Sequence, residues 1–158
     1  MITNLLKFKY LFLFFFIFFF KSQILLSNKR PDLLFHGGYA FETNSNQKST
    51  AVYISIFNNS EKDVVIKSIN CDIAEKVEVH EVKIIDDVVK MQMIENFVVK
   101  KNSELYLQPG GKHIMLIGLK RKMSDGDNFN LTFLLENNKV LNSKVMVLSN
   151  ELRENLIN

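Results

Sequence analysis

The interval from residue 30 to residue 148 reads as an all-β sandwich, on three observations. Short runs rich in Val, Ile, Phe and Tyr alternate apolar with polar residues, the period of a half-buried strand. Polar or Gly-containing turns separate the runs at close spacing, as in sandwiches built of many short strands. No apolar stripe of helical period persists anywhere in the interval. About seven to nine strands are expected.

In order, residues 29–36 (KRPDLLFH) form an extended lead-in, and Gly37-Gly38 allows a turn before Tyr39, Ala40 and Phe41. After the polar loop Asn44–Lys48, Val52, Ile54 and Ile56 fall on one face of a strand, with Ala51, Tyr53 and Ser55 on the other. The turn Asn58–Asp63 leads into a strand from Val64 to Ile69. From Val77 the apolar parity then slips, Val77 and Val79 having one phase and Val82 and Ile84 the other. Such a slip predicts a β-bulge near Val79–His80. Asp86-Asp87 is a tight hairpin turn. Two turn residues pair Ile85 with Val88, hence Val82 with Met91 and His80 with Met93. Phe97–Val99 and Glu104–Leu107 are short strands, and Pro109-Gly110-Gly111 is a strong turn before the strand Lys112–Leu119. Phe129–Leu135 and Val140–Leu148 form a hairpin about Asn137-Asn138-Lys139, and the polar tail is read as a short helix or disordered.

The N-terminus is different in kind. Lys7 and Lys9 precede the apolar run YLFLFFFIFFF from Tyr10 to Phe20, and Lys21 follows it. This is a basic region and an apolar core of secretory-signal length, shorter than the roughly 20 residues of a spanning helix. The run resumes at Ile24-Leu25-Leu26 with no Ala-x-Ala cleavage signal. Residues 1–28 are therefore read as a signal peptide or an N-terminal membrane anchor, the short core favouring cleavage. The expected organisation is a leader (1–28), a β-sandwich domain (29–149) and a polar tail (150–158), with the domain outside the cytoplasm.

The formal charge of +3 belongs to the leader, which holds three Lys and no acid, leaving 17 basic against 17 acidic residues. A neutral domain carries no electrostatic footprint for nucleic acid. Cys71 is the only cysteine, which excludes a disulfide framework. It reads as a small buried hydrophobe rather than as a metal ligand.

The chemistry lies between His80 and Met115. Ten residues separate His80 from Met91, twenty-one separate Met91 from His113, and one separates His113 from Met115. In strands, His113 and Met115 project from one face, and His80, Met91 and Met93 share a face across the hairpin. Two imidazoles and two thioethers make a soft, uncharged set suited to Cu(I) rather than to zinc, magnesium or calcium. Taken singly, each Met is more often core than ligand. His36, in the lead-in, reads as a structural histidine. Spacing alone leaves a metal site and a merely well-packed core both open.

The segment His80-x10-Met91-x21-His113-x-Met115 resembles the signature of the PCu(A)C family of periplasmic copper chaperones. The flanking phrases VEVHEVKIIDDVVKMQM, LQPGGKHIMLIGLKRKMSDGD and LTFLLENN are similar too, and the likeness covers about residues 48–147. The resemblance implies a cupredoxin-like or immunoglobulin-like β-sandwich and Cu(I) ligation by His80, Met91, His113 and Met115. It also implies delivery of copper to the binuclear centre of cytochrome c oxidase subunit II, alongside Sco-type proteins. One departure is plain. Many relatives carry a Met soon after the first His, where this chain has Glu81, Val82 and Ile84, leaving Met93 and Met123 as auxiliary thioethers. The alternative is an exported β-sandwich that binds a protein partner without metal. A cupredoxin electron carrier is disfavoured, because blue copper needs a Cys thiolate beside its His ligands and Cys71 lies far in sequence from His113. No nucleophile elbow or Ser-His-Asp arrangement suggests an enzyme.

Overall fold

A computed structural model describes residues 31–157. The leader expected at residues 1–28 lies outside the described residues. Ten strands follow in order: β1 (Leu33–Phe41), β2 (Ser49–Asn58), β3 (Val64–Cys71), β4 (Ala74–Ile85) and β5 (Val88–Met93), then β6 (Phe97–Val99), β7 (Ser103–Leu107), β8 (His113–Leu119), β9 (Asn128–Leu135) and β10 (Val140–Leu148). The polar tail is a helix, α1 (Asn150–Ile157).

The strands form one hydrogen-bonded path, β5-β4-β8-β2-β1-β10-β9-β3-β6, with β7 also on β2. The path folds back on itself as a sandwich. Val52, Ile54, Ile114 and Leu116 from one half share a single buried cluster with Ile66, Leu131, Phe133 and Val145 from the other. Phe35 stacks on Phe133 across the interior, ring centroids 4.3 Å apart. The β2 alternation is as read, with Val52, Ile54 and Ile56 buried and the residues between them half-buried.

The lead-in is a full strand, which helps bring the count to ten. Gly37 and Gly38 do not turn the chain but carry a bulge, where the β1–β2 register shifts between His36 and Tyr39. Gly37 has φ +66°, and a Cβ on Gly38 would meet the Lys144 carbonyl oxygen at 2.8 Å. The backbones of β1 and β10 approach too closely there for a side chain.

The bulge expected near Val79–His80 is absent. β4 pairs with β8 from Ala74↔Leu119 to His80↔His113 and with β5 from His80↔Met93 to Ile85↔Val88, without a shift. The parity slip has another cause. Up to Val79, β4 lies over the core. Beyond His80 it pairs only with β5, and no residue of the hairpin past Val79 is buried in the core. Ile84, Val88, Val89, Met91 and Met93 are all exposed, so the core no longer dictates which parity is apolar.

The hairpin turn is the two-residue type expected. Asp86 and Asp87 have φ of +53° and +59°, the left-handed pair that makes a type I′ turn and that short polar residues tolerate best after Gly. Asp87→Gly is expected to stabilise the chain by about 0.5–1 kcal/mol, because glycine meets no steric cost at this φ. Asp87→Val should fray β4–β5. Denaturant unfolding and amide exchange of residues 81–92 check both.

At the far edge, Asp63 accepts hydrogen bonds from the Lys100 ammonium and the Lys101 backbone N–H, both at 2.9 Å. The Lys100 bond first, and the Lys101 bond second, hold its carboxyl below the usual range. A depressed folded pKa contributes stability that is present above the unfolded value, about 3.9, and lost as pH falls through the lower folded value. Asp63→Asn should therefore lose less stability than wild type between about pH 5 and pH 2, measured by denaturant unfolding at each pH.

Candidate metal centre

β7 and β8 pair with the same edge of β2, at Ile54–Asn58 and Ser49–Val52 respectively. The segment Gln108–Lys112 steps the chain between them. Pro109 has its φ fixed by its ring, Gly110 sits at φ +77°, and the Gly111 N–H donates to the Gln108 carbonyl at 3.1 Å. Those features make a type II turn. The Gln108 N–H closes the loop on the Lys112 carbonyl at 2.8 Å.

The loop delivers His113 to the first position of β8, where it is buried at 6% exposure. Its Nδ1 stands 3.1 Å from the Gly111 carbonyl oxygen. A carbonyl only accepts, so Nδ1 carries the proton and Nε2 keeps the lone pair. His80 is the direct neighbour of His113 across the β4–β8 ladder. Its Nε2 stands 2.7 Å from a Glu78 carboxylate oxygen, and the other oxygen of Glu78 is ion-paired with Lys76. The Lys76 contact, then the His80 contact, hold the Glu78 carboxyl below the usual range, so it accepts rather than donates. The other ring nitrogen, His80 Nδ1, is buried with no hydrogen-bond partner. A buried polar atom without a partner costs about 1–3 kcal/mol unless a ligand takes it up.

The two rings lie 5.8 Å apart, centroid to centroid, at 64°. Imidazoles bound to one ion through nitrogens at about 2.0 Å hold their centroids roughly 5–6 Å apart. The centroid separation of the pair falls within that range.

Parity assigns the remaining donors. Met115 opposes Glu78, Met91 opposes Val82, and Met93 opposes His80. Opposed residues face the same way, so both His and all three Met share the outer face of β5-β4-β8. Val82, Met91, His113 and Met115 line a cleft of about 300 Å³, closed by Tyr53, Phe41 and Arg153. Met115 is half-buried, whereas Met91 is 64% exposed. His80 is not among the residues that line this cleft; it lies across the ladder from His113, ring against ring. Met93, 48% exposed, lies across from His80 but lines a different cavity with Glu78 and Ile94.

Met123 does not serve as an auxiliary thioether, and Cys71 lies away from the cleft. Met123 is fully buried in the core. Its backbone N–H donates to Thr43 Oγ1 at 3.0 Å and its carbonyl accepts from the Thr43 N–H. It packs and offers no donor at the surface. Cys71 packs against the core cluster and lines the Met93 cavity rather than the His113 cleft. Burial pushes its thiol pKa up, away from the thiolate a metal would need. Among the described residues no group of three or more His, Cys, Asp or Glu is placed to hold a metal. The further donors this face offers beside the two His are the thioethers of Met91, Met93 and Met115. His36 is exposed on β1, opposite Ser55.

Reading the sequence missed Glu78, the Gly111 carbonyl and Arg153. Glu78 had a signal, since it lies two residues before His80 in a strand and so shares its face. The carbonyl and the tail helix had none. α1 returns across the sheet to place the Arg153 guanidinium 5.6 Å from the Phe41 ring centroid, a tertiary contact with no local trace.

Comparisons with known proteins agree with this architecture. Residues 33–147 match the family of LpqE-like lipoproteins. RP573, an uncharacterised protein of Rickettsia prowazekii (strain Madrid E), is 30% identical over 100 residues. That match takes in 61% of this chain and 55% of RP573, so the chain spans about half the length of this relative. The copper-bound PCuAC domain from PmoF2 superposes with a TM-score of 0.63 at 13% identity, over 75% of this chain and 94% of that domain. The solution structure of CuI-DR1885 from Deinococcus radiodurans gives 0.61 at 22% identity, over 81% and 85%. The chain belongs to the LpqE-like family, and its ten strands have the fold of a PCuAC domain.

Proposed function

We propose that this chain is an exported copper carrier that holds one Cu(I) through His80, Met91, His113 and Met115. The observation that carries the reading is the pair of facing imidazoles, each with one nitrogen anchored and the other uncommitted. It is supported by the thioether-lined cleft beside them and by the copper named for the PmoF2 and DR1885 domains of the same fold. Neutral nitrogen and thioether donors match a soft monovalent ion and omit the thiolates that would bind it too tightly to release. The site lies at the protein surface, so an acceptor's ligand can enter as Met91, the most exposed donor, leaves. The ion changes partners without changing oxidation state. The acceptor proposed is the copper centre of cytochrome c oxidase subunit II, with Sco-type proteins as co-workers, and the compartment proposed is the periplasm.

Two outcomes are expected. Cu(I) titration of the chain under reducing conditions, against a chromophoric chelator, should give one equivalent per chain, and His80→Ala with His113→Ala should abolish it. A stoichiometry that survives the double substitution refutes the assignment. In the same assay, Met91→Leu should weaken binding by more than about tenfold, the lower bound for loss of even an outer-shell partner. Met93→Leu, across from His80 but outside the cleft, should leave affinity nearly unchanged. The reverse order would make Met93 the ligand.

A further inference from the structure

We infer that Glu78 is a positioning residue, which fixes His80 as the Nε2–H tautomer so that the two histidines meet the metal through different nitrogens, Nδ1 of His80 and Nε2 of His113. The inference rests on the copper reading for its consequence, but the geometry behind it belongs to the chain itself.

The placement of Glu78 follows from strand alternation. It lies two residues before His80 on β4, so both side chains stand on one face. Its side chain is only 13% exposed, and its two oxygens are taken by two cations or donors. Lys76, at the next position of the same parity, holds Oε1. Oε2 is left to accept from His80 Nε2 at 2.7 Å, a length typical of a charge-assisted bond. With one oxygen held by Lys76, the carboxylate has little freedom to turn away. The His80 ring is thereby held by its far nitrogen, and its near nitrogen, Nδ1, points into buried space with nothing to bond.

His113 is held the opposite way. Its near nitrogen, Nδ1, is bound to the Gly111 carbonyl of its own loop, leaving Nε2 outward. Directly opposed residues have backbones at equal depth in the sheet. Two rings presenting the same nitrogen from such positions would be related by the local two-fold axis of the antiparallel pair. Anchoring one ring by a carboxylate beneath it and the other by a carbonyl beside it orients them differently, and the observed angle is 64°. A metal-bound imidazole generally donates its second N–H to a carboxylate or a carbonyl. Here the two partners differ in charge. The carboxylate makes His80 the more electron-rich donor, and the neutral carbonyl makes His113 the weaker one.

The test reads the tautomers first without metal. Long-range 1H–15N correlation spectra of the ¹⁵N-labelled, metal-free chain should show His80 protonated at Nε2 and His113 at Nδ1. The His80 ring proton should exchange slowly with water. Glu78→Ala should turn that proton into a fast-exchanging one and weaken Cu(I) binding by about 10–100-fold, as loss of an outer-shell partner does. Glu78→Gln, whose amide oxygen can still accept, should recover the slow ring proton and most of the affinity. On adding Cu(I) to wild type, the 15N resonances that move most should be Nδ1 of His80 and Nε2 of His113. A metal-free His80 protonated at Nδ1, or Glu78→Ala binding Cu(I) as tightly as wild type, overturns the inference. If wild type shows both assigned tautomers and the slow proton but takes up no Cu(I), the positioning stands and the copper reading falls.

Discussion

The site depends on an unbroken register through three strands, β5-β4-β8, centred on His80. That one residue is opposed by Met93 on one side and by His113 on the other. Side chains in a strand alternate with a period of two, so a slip of a single residue would send the partner strand's donors to the opposite face. The chain guards this register at both ends. The Asp86-Asp87 turn, left-handed at both positions, admits only a two-residue connection and so fixes β5 against β4. The Pro109-Gly110 turn sets where β8 begins, and makes its first residue a histidine whose ring is already bonded to the loop. Both turns need backbone conformations that most residues resist, and each lies within a few residues of a donor.

The same alternation separates charge from the donors. On the β4–β5 hairpin the face bearing His80 also carries Val82, Ile84, Val89, Met91 and Met93. The reverse face carries Glu81, Lys83, Lys90 and Gln92. Glu81 pairs there with Lys83 at 3.0 Å and with Lys112 at 3.7 Å. The only carboxylate on the donor face of β4 is Glu78, and Lys76 balances it. The cleft itself is lined by His113, Met91 and Met115 together with Glu42 and Arg153, and Glu42 accepts a hydrogen bond from the Asn150 N–H. On the copper reading, the two imidazoles and the thioethers match a soft ion better than the hard divalent ions that oxygen donors select.

Much of this was legible in the sequence because strand parity is a local property. Ile85↔Val88, Val82↔Met91 and His80↔Met93 follow from two Asp residues and counting, and the structure has all three pairs. The β2 alternation was equally plain. What misled was parity read without a layer to refer it to. The slip between Val79 and Val82 looks like a bulge only if one core lies under the whole strand, and β4 outruns its core at His80. A bulge that does exist, at Gly37-Gly38, reads in the sequence as a turn, because two glycines signal conformational freedom without saying what the neighbouring strand does. Met123 shows the converse limit. Nothing in its sequence context separates a thioether that packs, as it does beside Thr43, from one that could bind. The His80–His113 pairing joins residues 33 apart in the chain and could be reached only through the long-range spacing of the motif.

The proposed donors divide by how firmly the fold holds them, and the division follows the sheet order. His113 and Met115 sit on β8, an inner strand bonded on both sides by β4 and β2. His80 lies on β4 at the one position paired to both of its neighbours. Met91 lies on β5, the end of the path, with all six residues of that strand exposed. An end strand that covers no core can open locally at far smaller cost than an inner one. On the copper reading, opening β5 withdraws one thioether while the two imidazoles and Met115 keep their geometry. The ion is then held by three donors, with a vacant position facing solvent. Retention is assigned to the strands that cannot move without unfolding the sandwich, and release to the one that can.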